Sequence, residues 1–191
     1  MSIVLYIFIV LFGSASYMVG IWQIIGGKYR PNVFSRVVWL LLAINTFAGV
    51  VVSKSSKASI ILAFVFLIGN ACICLLSFWR GTFELGKLEY VCLALLLISA
   101  VVWIFYRVPL VNLSIGLLAH FIGALPTYKR AWKDGGTEST SFWSLFFIAS
   151  LLTILASLDE PIKDIIFPIY FTLFDGSMAF LSLRKVERSY K

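Results

Sequence analysis

Pro126-Thr-Tyr-Lys-Arg-Ala-Trp-Lys-Asp-Gly-Gly-Thr-Glu-Ser-Thr-Ser-Phe-Trp143 is the stretch on which the reading of this chain turns. An apolar run reaches it through His120 and Gly123, and another leaves it through Phe146 and Leu151. Between them stand Lys129, Arg130 and Lys133, a Gly135-Gly136 break and the small polar string Ser139, Thr140, Ser141. A proline near the end of one membrane helix, a cationic loop and a hydroxyl-rich lead-in to the next helix describe a hinge at a water interface. A membrane proline frees a backbone carbonyl that neighbours or water must satisfy. Pro126 is therefore expected to bend rather than stop its helix.

The flanking composition demands a bilayer. Of 191 residues, 61% are hydrophobic and 13% charged, and mean hydropathy is +0.97. A soluble fold of this size needs a charged surface that these residues do not provide. The net charge of +7 is accordingly read as a report of orientation, not as a nucleic-acid patch. Cys72, Cys74 and Cys92 are odd in number and sit in apolar runs, which argues against a disulfide or metal framework. Met1-Ser2-Ile3 lacks a cationic leader, so the first apolar run is expected to be retained.

A membrane helix takes about 20 apolar residues, and seven runs come close: Ile3 to Trp22, Val37 to Ser53, Ala58 to Trp79, Tyr90 to Tyr106, Val108 to Tyr128, Ser139 to Leu158 and Ile165 to Leu183. With seven spans, twelve Lys and Arg share the side of the C-terminus (Lys28, Arg30, Arg36, Arg80, Lys87, Lys129, Arg130, Lys133, Arg184, Lys185, Arg188, Lys191). Lys54, Lys57, Arg107 and Lys163 fall on the other, which accounts for all 16. This bias places the N-terminus outside and the C-terminus in the cytoplasm, in an integral protein of the inner or plasma membrane.

Aligning Trp39 with Trp143 sets Gly20 opposite Pro126 and Ser14 opposite His120. It also gives each first helix a basic loop, Gly26 to Arg30 and Lys129 to Lys133, and matches Asn70 with Asp175 ahead of Arg80 and Arg184. Residues 1–80 and 108–191 then read as two three-helix copies, with 81–107 as a linker helix. An odd spacer puts the copies in the same orientation, a parallel repeat about an axis along the membrane normal.

This all-α, 3+1+3 arrangement resembles the SWEET sugar transporters and the wider PQ-loop superfamily. The family motif is Pro-Gln, a basic stretch and a Ser/Thr-rich start to the next helix. Here the second copy reads Pro126-Thr127, then Lys129, Arg130, Lys133 and Ser139-Thr140-Ser141, while the first copy has Gly20-Ile21 where the dipeptide belongs. The resemblance covers nearly the whole chain in architecture and is specific over some 18 residues. It implies alternating access between two bundles, with a Trp and an Asn of each around the substrate. The matching positions are Trp39, Asn70 and Trp143, with Asp175 where the second Asn would stand.

The residues themselves add polar groups near mid-depth: Asn45, Asn70, His120 and Asp175. Such groups are costly in lipid unless they pair or face water, so a common cavity is expected. His120 facing Asp175 would stabilise both charged forms and could carry a proton. The competing readings are a helix-capping His120, Asn45 and Asn70 as interhelical hydrogen-bond glue, and Trp22, Trp79, Trp132 and Trp143 as an interfacial belt. Pro168 is read as a kink, and Glu84 with Glu89 as a solvated helix entrance. Enzymatic motifs are missing: no paired metal-ligand spacing, no Gly-x-Ser-x-Gly, and one His. The expectation is a non-enzyme without cofactors that moves a small polar solute, sugar-like or similar. The alternative is a non-transporting receptor or assembly factor on the same fold. Small-residue helix faces serve packing within and between chains alike, so a homo-oligomer stays open.

Overall fold

The computed structural model describes residues 2–83, 86–106 and 108–184. Glu84, Arg107, Lys185, Arg188 and Lys191, which entered the charge and helix-entrance readings, lie outside the described residues. Seven helices follow in order: α1 (Ser2–Ile25), α2 (Val33–Val52), α3 (Lys57–Arg80), α4 (Lys87–Tyr106), α5 (Pro109–Lys133), α6 (Thr140–Leu155) and α7 (Ile162–Leu183), with a 3-10 turn at Gly135–Thr137. Five of them, α1, α2, α3, α5 and α7, carry stretches long and apolar enough to cross a membrane. The apolar parts of α4 and α6, Glu89–Val102 and Thr140–Leu155, are shorter.

Short polar side chains start the helices. Asn32 accepts from the Phe34 and Ser35 amides at the head of α2, Ser56 from Ser59 at the head of α3, and Ser139 from Phe142 at the head of α6. Each satisfies amide groups that the first turn leaves open. The stretch after Pro126 differs from the sequence expectation. α5 continues through Pro126 to Lys133, so Lys129, Arg130 and Lys133 ride on its last two turns and not on a loop. Cations there suit the negative end of the helix dipole. The connection shrinks to residues 134–139, where a Cβ on Gly135 would meet the Leu181 and Arg184 carbonyls at 2.4 and 2.5 Å.

The helices pack in a ring. α1 and α2 each lie on α3, α5 and α6 each lie on α7, α1 meets α6, and α2 meets α5, while α4 sits against α5 and α2. Close approach of α1 to α3 depends on Gly69, where a Cβ would lie 2.2 Å from the Tyr17 ring. The ring interior is aromatic: Phe66, Phe146, Phe167 and Phe171 are all buried, with Phe66 and Phe171 centroids 4.7 Å apart. The two ends differ in charge. An Asn32–Thr82 bridge joins the α1–α2 connection to the end of α3, and Gly135 packs on the end of α7. Nine described Lys and Arg gather at this end, against Lys54, Lys57 and Lys163 at the other.

Candidate functional site

Two linked spaces open inside the ring. At the basic end lies a vestibule of about 560 Å³, whose walls include Gly20, Arg36, Trp39, Pro126, Phe142 and Trp143. Deeper in is a chamber of about 20 Å³ walled by Tyr17, Asn70, His120, Asp175 and a group of phenylalanines. Arg36, Trp39, Phe142 and Trp143 line both, so they form the constriction between the two spaces. The chamber has room for about one water molecule.

Each chamber group comes from a different helix. α3 supplies Asn70, whose Nδ2 donates to the Tyr17 hydroxyl at 2.9 Å and to the Phe66 carbonyl at 2.8 Å. α5 supplies His120, fully enclosed by rings: Trp39 at 4.7 Å, Phe174 at 4.8 Å and Phe171 at 5.1 Å between centroids. Its Nδ1 shares a 2.8 Å hydrogen bond with the Tyr170 hydroxyl, and its Nε2 has no partner among the described residues. α7 supplies Asp175, 2% exposed, with Oδ2 unpartnered among the described residues. Both atoms are polar groups within the chamber walls, where partners are normally required of buried polar groups.

Five of the six expected contact residues, Trp39, Asn70, His120, Trp143 and Asp175, thus share one chamber. Asn45 is set apart. Its Nδ2 donates to Ser99 of α4 at 3.3 Å, and Ser99 in turn donates to the Asn112 side chain. It joins α2, α4 and α5 as interhelical glue. The expected His120–Asp175 contact is not made either: Tyr170 takes the imidazole, and Arg130–Glu138, at 3.5 Å, is the one ion pair among the described residues. Ser14, aligned with His120 in the sequence, is exposed, and Tyr17 one turn later faces inward in its place. Trp143 is 6% exposed while Trp22, Trp79 and Trp132 are 71%, 65% and 64% exposed. Three of the four tryptophans therefore suit the belt, and Trp143 belongs to the constriction.

Away from the vestibule the ring is tied shut. Ser56 and Ser157 hydroxyls meet at 2.6 Å, and Ser59 donates to the Asp164 carbonyl at 3.2 Å. These bonds join α3 to the α6–α7 end, with the Phe66, Phe167 and Phe171 cluster between them and the chamber. The Ser59 bond has a further cause. Pro168, inside α7, cannot donate to the carbonyl four residues back, which is that of Asp164.

Sequence reasoning missed three participants. Tyr17 and Tyr170 were hidden among other aromatics. Arg36 was counted only as a basic flank, yet it lies three residues before Trp39 on α2, so that the two share a face. Its Nη2 donates to the Tyr29 hydroxyl at 2.5 Å, and its guanidinium lies 5.4 Å from the Trp39 ring centre. Near the vestibule mouth, burial raises the Glu138 carboxyl above the usual range, with Arg130 opposing the shift. The chain matches no family model and no curated protein, and no solved structure matches it.

Proposed function

We propose that this chain is a membrane transporter, without enzymatic activity, that moves a small polar solute by alternating access. The observation that carries the reading is the chamber, where Asn70 and Asp175 from α3 and α7 meet beside an unpartnered carboxylate oxygen. It connects to a wide vestibule at one end and is tied shut by Ser56–Ser157 at the other. That is the form of a carrier open to one side.

The packing supports a 3+1+3 division. α1 to α3 and α5 to α7 each place their third helix between the other two, and α4 stands outside the ring. Three residue pairs aligned between the copies share walls: Gly20 with Pro126, Trp39 with Trp143, Asn70 with Asp175. This accords with the resemblance to the SWEET and PQ-loop transporters, with the basic end in the cytoplasm and Pro126, on the vestibule wall, as a hinge. The protein works in the lipid bilayer, alone or as a homo-oligomer. The test is counterflow in proteoliposomes against sugars, amino acids and nucleosides at two pH values. Asp175→Asn should fold and lose exchange, whereas unchanged exchange would remove the chamber from the mechanism.

A second reading, a non-transporting receptor or assembly factor, is favoured by the exposed Lys129, Arg130 and Lys133 on the end of α5. It predicts that neutralising these three abolishes function while Asp175→Asn does not.

A further inference from the structure

Resting on the transporter reading, we infer that the solute is a zwitterion of the α-amino acid class, held between Arg36 and Asp175. Both side chains line the chamber, one a guanidinium and the other a carboxyl group. They do not satisfy each other, since neither belongs to an ion pair among the described residues. Asp175 keeps one oxygen unpartnered at 2% exposure. Arg36 has five N–H donors, and among the described residues its hydrogen-bond acceptor is the Tyr29 hydroxyl. On the vestibule wall Glu138 pairs with Arg130 at 3.5 Å, and the Arg36 charge acts on that carboxyl without forming an ion pair with it.

A solute that completes both groups must present an anion toward the vestibule and a hydrogen-bond-donating cation toward the interior. The planar guanidinium, stacked beside Trp39, matches a carboxylate in two-pronged fashion. The ammonium end would meet the Asp175 carboxylate with ring faces around it, and aromatic faces also attract cations. A neutral sugar would offer neither the carboxylate that the Arg36 fork matches nor the cation that the Asp175 carboxyl matches. A simple anion would leave Asp175 bare, and a simple amine would leave Arg36 bare. The side chain of the solute would project into the vestibule, whose volume of about 560 Å³ places little restriction on its size.

The test starts from thermal unfolding of the detergent-purified protein with the twenty standard amino acids in pools, and with glucose, sucrose and uridine. The best amino acid is then compared with its own fragments; for alanine these are ethylamine and propionate. Expected is a raised unfolding midpoint with the amino acid and no shift with either fragment. Arg36→Gln and Asp175→Asn should each weaken binding on the order of ten- to a hundredfold, and Arg36→Lys should keep part of it. Should either variant fail to fold, the fragment comparison on the unaltered protein still decides. A shift from a fragment equal to that of the whole amino acid, or full affinity in both variants, overturns the inference. If sugars or uridine shift the midpoint and exchange in proteoliposomes while amino acids do neither, the inference falls and the transporter reading stands. If no solute of any class binds or exchanges, both fall.

Discussion

The Asp175 carboxyl, 2% exposed and with Oδ2 unpartnered among the described residues, governs what substitutions there should do. Asn keeps the shape and one acceptor, so Asp175→Asn is expected to retain the unfolding midpoint and to lose about 1.5–3 kcal/mol of solute binding. His120 belongs to a different pair. A double-mutant cycle in detergent should show His120→Phe and Tyr170→Phe coupled by about 0.5–1.5 kcal/mol, and His120 with Asp175 coupled by less. A strong His120–Asp175 coupling would contradict the Tyr170 bond. At the vestibule mouth, Glu138 has its carboxyl raised by burial. Its contribution to stability is full below the unfolded value of about 4.3 and is lost as pH rises through the higher folded value. Glu138→Gln should flatten the midpoint-against-pH curve over that interval, which thermal melts at stepped pH would read. A curve of unchanged slope would show that the carboxyl is not buried in solution.

Helices α5 and α7 each contain an internal proline, and the two are managed differently. Pro168 leaves the Asp164 carbonyl to Ser59 of α3, so Ser59→Ala should cost about 1–3 kcal/mol. In a Pro168→Ala background the carbonyl regains its own helix donor and the same change should cost much less. Equal costs in both backgrounds would mean that Ser59 acts elsewhere. Pro126 lies exposed on the vestibule wall. Pro126→Ala is expected to leave the fold intact and to slow exchange several-fold; exchange at the unaltered rate would reduce Pro126 to a passive kink. These elements also show where sequence reading reached its limit. Hydrophobic run length marks the spans because the bilayer enforces it, but the basic residues after Pro126 satisfy a helix end as well as a loop, and only packing against Gly135 and α7 chose the helix. Likewise depth along a helix was legible for Asn45, Asn70, His120 and Asp175, whereas direction around it was not. Which face turns inward depends on the neighbour, and α4 draws Asn45 away through Ser99.

For the whole molecule, the separation of basic residues to one end predicts sidedness. Lys57, exposed at the sparse end, and Thr137, exposed at the basic end, make suitable labelling sites. Lys57→Cys should react with an impermeant maleimide on intact cells, and Thr137→Cys only after permeabilisation; the reverse pattern would invert the protein. The ring order of helices was the feature least available from sequence. Knowing that Trp143 is near a helix end does not say whether that end faces lipid or a central opening. Its neighbours on α5 and α7 settle that by enclosing it in a cluster with Ala124, Ala131, Phe174 and Met178.

The unequal depth of the two ends bears on membrane voltage. In the transporter proposed above, water filling the vestibule would carry the potential of its own side inward as far as Trp39 and Trp143. The drop is then concentrated in the short septum of Phe66, Phe167, Phe171 and the serine pairs, not spread over the full bilayer. Moving one elementary charge through it takes about 2.3 kcal/mol per 100 mV. A zwitterion crosses with no net charge and feels none of this force. A carrier that returned empty with Asp175 ionised would move a charge through part of that field, so its resetting step, and not its loaded step, would register the potential.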